Sequence, residues 1–91
     1  MILYISGAVD EDPDYRAKFL EYEVRYRKAG HTVLSPARHP DGLGLAAYMR
    51  LAFADIDRCD ALVLLPDWTR SAGAAIEEAY ARYIGKEVLY G

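Results

Sequence analysis

The chain carries a single cysteine, Cys59, so no internal disulfide can form, and this usage fits a reducing cytosol. It lacks any apolar run near the roughly eighteen residues that a bilayer-spanning helix needs. It also lacks basic excess: 11 Lys and Arg stand against 14 Asp and Glu, for a net charge of −3. No basic stripe is therefore available to track phosphates, which argues against a nucleic-acid polymer or a membrane surface as partner. The two histidines and Cys59 have no metal-ligand spacing, so neither a metal site nor a cofactor is expected. The opening MILYIS has no charged lead and reads as a strand rather than a signal peptide. No repeat, low-complexity tract or linker interrupts the chain.

What is present is apolar and periodic. Hydrophobic residues make up 53% of the 91, ample for a core, and the length suits one domain spanning 1–91. Residues 2–6 form a short apolar strand closed by Gly7. Residues 13–29 read as a helix, with Asp12 as cap, Pro13 in its first position and Gly30 as its stop. Residues 31–35 read as a second strand, and 36–44, with two prolines and two glycines, as a loop. A second helix over 45–58, a third strand over 60–66, a third helix over 72–84 and a fourth strand over 87–90 complete the chain. Asp60 reads as a cap on the start of its strand. This βαβ alternation with apolar strands predicts an α/β fold: a Rossmann-like, flavodoxin-like three-layer sandwich around a four-stranded parallel sheet. Ligands in such sheets bind beyond the carboxyl ends of the strands.

The segment SAGAAIE at 71–77 falls where the sheet opens. Ser71 is a good helix cap, and Gly73 leaves the first turn bare, so backbone N–H groups there can face an anion. Glu77 comes about one turn later. At about 100° per residue, Ala72, Ile76, Ala79, Tyr80 and Tyr83 share an apolar face, with Glu77 on its flank and Glu78 pointing to solvent. In the second helix Leu45, Tyr48, Met49, Ala52 and Ile56 form the expected buried stripe. Asp55 flanks that stripe and Asp57 points away. Glu77 and Asp55 are thus the carboxylates placed to enter a cleft.

The first helix is double-faced. Tyr15, Phe19, Tyr22 and Tyr26 form one stripe, and Ala17, Leu20 and Val24 another on the opposite side. One face can lie on the sheet while the other needs a cover. A homodimer through the Tyr15/Phe19/Tyr22/Tyr26 face is the simplest cover, and tyrosines left partly wet are the alternative. Trp68 reads equally as a stacking platform for a base or a lid on its loop. His31 reads as a surface residue. His39 is read first as a loop residue, with ligand contact the lesser alternative.

Taken together, YISG at 4–7, AGHTV at 29–33, CDALVLLP at 59–66, then Trp68, Ser71, Gly73 and Glu77, resemble the nucleoside 2-deoxyribosyltransferase superfamily. The likeness is strongest to its short DUF4406-like branch and covers nearly the whole chain. It implies cleavage of the N-glycosidic bond of a nucleoside or nucleoside monophosphate, with the sugar passed to another base or to water. By position it makes Glu77 the carboxylate that attacks the anomeric carbon and Tyr4 the phenol beside it. Ser71 with Gly73 match the phosphate- or hydroxyl-binding turn, and Gly7, Ala8, Asp67 and Trp68 are further expected ligand contacts. Relatives commonly place an aspartate where this chain has Ala52, and a proline where it has Ala8. Asp55, one turn along, or Asp67 at the strand end is then left to supply the acid. A module that binds a nucleotide without turning it over, and a small oligomeric interaction protein, are the competing functional readings.

Overall fold

A computed structural model describes residues 1–10 and 12–91. Four strands, β1 (Ile2–Ser6), β2 (Thr32–Leu34), β3 (Ala61–Leu64) and β4 (Glu87–Tyr90), pair in the order β2-β1-β3-β4, and every pairing is parallel. Helices α1 (Tyr15–Lys28), α2 (Leu45–Arg58) and α3 (Ala72–Tyr83) connect them in sequence. The expected Rossmann-like sandwich is the observed one.

Side-chain alternation along the strands divides the core into two layers. Leu3 and Ile5 of β1, Val33 of β2 and Val63 of β3 belong to the clusters that meet α1 through Phe19 and Tyr26. Tyr4, Leu62 and Leu64 belong to the other cluster, which meets Ala52 and Ile56 of α2 and Ala81 of α3. The first N–H of β1, on Ile2, donates to Asp60 Oδ2 at 2.7 Å, so the strand-start role read for Asp60 extends to the neighbouring strand.

Helix boundaries and faces depart from the periodic reading in four places. α1 begins at Tyr15, with Pro13 ahead of it in a turn. Asp12 Oδ1 accepts the N–H of Asp14 at 2.9 Å, closing that turn instead of capping the helix. Second, the aromatic stripe of α1 faces its own sheet: Phe19 is fully buried, with Tyr15, Tyr22 and Tyr26 packed against the same cluster. The stripe assigned to a partner subunit thus packs on the sheet of its own chain with its tyrosines left part-exposed, and Leu20 and Val24 face solvent. Third, α3 is rotated from its expected phase. Ala74 and Ala81 are its buried positions, whereas Ile76 is half exposed and Tyr83 is 90% exposed. Small residues win this face because they let the helix approach the sheet closely, and the turn of the helix carries Glu77 and Glu78 inward with them. Leu45, expected inside, is 78% exposed at the start of α2.

Among the described residues no helix is long and apolar enough to cross a membrane.

Candidate functional site

A cavity of about 600 Å³ opens beyond the carboxyl ends of the strands. Strand order reverses between β1 and β3, and an open α/β sheet leaves its crevice at that switch point. Tyr4 and Gly7 line it from β1, and Pro36 and His39 from the segment after β2. Tyr48, Met49 and Ala52 line it from α2, and Ser71, Gly73 and Glu77 from α3. Val9, Asp10, Asp12 and Tyr15 close the side formed by the β1–α1 connection.

Glu77 is the chemically distinctive group. Burial raises its carboxyl from 4.5 to about 7, and the charge of Asp55 adds to the rise, while the hydroxyls of Ser6 and Tyr4 pull the other way. Tyr4 and Ser6 face the same carboxyl because they are two positions apart on one strand face. Tyr4 is almost fully buried, and burial together with Glu77 holds its phenol well above 10, so it remains an O–H donor at any ordinary pH. Ser6 is equally buried, and its Oγ stands by the Glu77 carboxyl without the geometry of a full hydrogen bond to any described residue. Two hydroxyls thus flank a carboxyl whose titration burial moves up to about 7.

Behind the opposite wall lies a second pair. His39 Nε2 donates to Asp55 Oδ2 at 3.1 Å, and Arg58 bonds the other oxygen of Asp55. Asp55 is only 8% exposed and does not line the cavity itself. It reaches the cavity through the imidazole, which it orients.

The helix start behaves as its sequence suggests. Ser71 Oγ accepts the N–H of Ala74 at 3.1 Å, capping α3. A Cβ on Gly73 would stand 3.9 Å from Glu77 Oε2 and 3.8 Å from Met49 Cε, so the bare position keeps the approach to the carboxyl open. Gly7 is required more strictly: a Cβ there would lie 2.9 Å from Asp67 Oδ1 and 3.0 Å from Leu65 Cβ.

Tyr4, Gly7, Ser71, Gly73 and Glu77 therefore meet in one cavity, and four other expected site residues stand outside it. Asp55 stands behind His39. Asp67 Oδ1 accepts the N–H of Ala8 at 3.0 Å, and Lys18 bonds both Asp67 and the carbonyl of Ala8. Burial opposes ionisation of Asp67, but Lys18 and the Ala8 N–H outweigh it and hold its carboxyl below the usual range. Asp67 and Ala8 thus brace the β1–α1 connection from behind. Trp68 packs against the core cluster of Tyr4 and Leu64 and gives no face to the cavity.

His39, read from sequence first as a loop residue, stands on the cavity wall, as do Asp10, Asp41 and Tyr48, which the sequence does not single out as site residues; Ser6 stands beside Glu77. Ser6 is open to discovery through its period-two relation to Tyr4. Tyr48 donates its O–H to the carbonyl of Pro40 at 2.7 Å and accepts the N–H of Leu43, fastening the loop that carries His39, a contact no local pattern announces.

This is a small parallel α/β protein with a carboxyl-bearing cavity at its topological switch point. The chain belongs to the family described as Domain of unknown function (DUF4406), whose model matches residues 1–90. No curated protein matches it.

Proposed function

We propose that the cavity binds a nucleoside or nucleoside monophosphate and cleaves its N-glycosidic bond, with Glu77 as nucleophile. The single observation that carries this reading is the half-buried Glu77, its carboxyl raised to about 7, beside Tyr4 in a cavity large enough for a drug-sized ligand. The likeness of the sequence to the nucleoside 2-deoxyribosyltransferase superfamily supports it. In the forward step a Glu77 oxygen bonds to the anomeric carbon as the bond to the base nitrogen breaks. The bonding pair leaves on the base, which takes a proton from the His39 imidazolium backed by Asp55. Water or a second base then attacks the same carbon and releases Glu77. Tyr4, protonated throughout, donates to the carboxylate and holds it in line.

His39 with Asp55 takes the acid's part here because the two aspartates considered for it do not line the cavity, while Ala52 presents only a methyl group to it. That methyl is also the observation that favours a second reading, binding without turnover. Incubation with a panel of 2′-deoxynucleosides and their monophosphates, followed by chromatography for free base, separates the two. Base release supports the glycosidic reading; saturable binding with no free base replaces it with the binding module.

A further inference from the structure

The cavity wall has an unusual charge balance for a site that would hold a phosphate. Its acidic residues are Asp10, Asp12, Asp41 and Glu77, and no lysine or arginine lines it among the described residues. The cations nearest its rim already face carboxylates. Lys18 pairs with Asp12 at 3.0 Å and with Asp67, and Arg16 pairs with Asp41 at 2.9 Å. Arg70, outside the lining, adds its charge to the same two aspartates, Asp12 and Asp67. Asp10 has no ion pair among the described residues and stands at the exposed side of the wall. His39 also lines the wall, but its Nε2 is already bonded to Asp55 Oδ2 at 3.1 Å, so any charge it carries faces a carboxylate. The first turn of α3 adds positive potential, and Ser71 Oγ already takes one of its N–H groups. What is left there suits a hydroxyl better than a dianion, since a helix end carries only about half a unit charge.

We infer that the ligand of this cavity is an uncharged nucleoside lacking a 5′-phosphate. The inference rests on the glycosidic reading of the site and narrows its substrate class. A phosphate monoester would bring nearly two negative charges into a wall that offers carboxylates, no lysine or arginine among the described residues, and one imidazole already paired with Asp55. Hydroxyls and a neutral base meet only acceptors and polar donors: the carboxylates take hydrogen bonds from sugar hydroxyls or exocyclic amines, and Tyr15 and Tyr48 give aromatic surface.

The test is a matched comparison on the intact chain, using the four 2′-deoxynucleosides and their four 5′-monophosphates at low ionic strength. Affinity is read by calorimetry and base release by chromatography in the same samples. Each nucleoside should bind at least about tenfold tighter than its monophosphate. Asp10→Asn should close part of that gap, as should salt at about 1 M, where screening acts within about 3 Å. Monophosphates binding equally or more tightly would overturn this inference and leave the glycosidic reading standing. A gap that neither Asp10→Asn nor salt narrows overturns its electrostatic basis. If neither class binds or loses base, both readings fall together.

Discussion

Glu77 is held where an ordinary surface carboxylate would not be, and the fold is weakened by holding it. Its proton is retained to about pH 7 in the folded chain, against 4.5 for the free group. Across that window the folded state keeps a proton that the unfolded state releases, so stability contributed by the neutral form falls as pH rises. The loss is complete above about pH 8 and is on the order of 3 kcal/mol. Glu77→Gln, neutral at every pH, should therefore unfold at higher urea than wild type at pH 8 and show no such gain near pH 4. Equal midpoints at pH 8 would mean that the carboxyl is solvated. As nucleophile Glu77 must be ionised and as acid His39 must be protonated, so kcat/KM should be bell-shaped in pH, with its rising limb at about 7, opposite in direction to stability, and a falling limb that His39→Gln removes. His39→Gln should slow base departure by about a hundredfold, and Asp55→Asn by less, since it removes an orienting partner rather than the donor. The two losses should be far from additive, because Asp55 acts only through the imidazole.

At the scale of elements, type and order are readable from the sequence, while the inward faces of the helices are not. Strands of continuous apolar residues between helix caps and glycine stops can form little but a parallel sheet, and that is what forms. The phase of α3 is lost because hydrophobic periodicity weights Ile76 and Tyr83, whereas the sheet selects Ala74 and Ala81, the residues that permit close approach. The same limit applies to α1, where Glu23 is buried between Arg27 and Arg38, the latter 15 residues away. Two glycine substitutions separate scaffold from site. Gly7→Ala forces a Cβ to 2.9 Å from Asp67 Oδ1 and should destabilise the chain by about 1–3 kcal/mol, read by thermal unfolding. Gly73→Ala meets only ordinary contacts and gains helix propensity, so stability should hold or rise by up to about 1 kcal/mol. Its methyl group stands before Glu77, so ligand affinity should fall even though the fold is intact.

Over the whole molecule, the fold is legible because each local signal agrees with one topology, and the cavity is legible in part for the same reason. Residues on strand ends and a helix start, such as Tyr4, Gly7, Ser71, Gly73 and Glu77, are placed by topology alone. Helix α2 adds Tyr48, Met49 and Ala52, and most of the remaining wall comes from the connections after β1 and β2, where no period applies. There Tyr48, Arg16 and Lys18 fix the course of the chain by contacts 5 to 49 residues apart in sequence. The acidic wall and the His39–Asp55 pair arise from those contacts, so they become visible only with the structure. The central claim is that Glu77 carries out chemistry and does more than shape the cavity. It is tested most directly by comparing wild type with Glu77→Gln for release of free base from 2′-deoxynucleosides, with ligand binding measured alongside. The account predicts that the variant binds with little change and loses at least about a hundredfold in turnover. Full turnover by Glu77→Gln would contradict it.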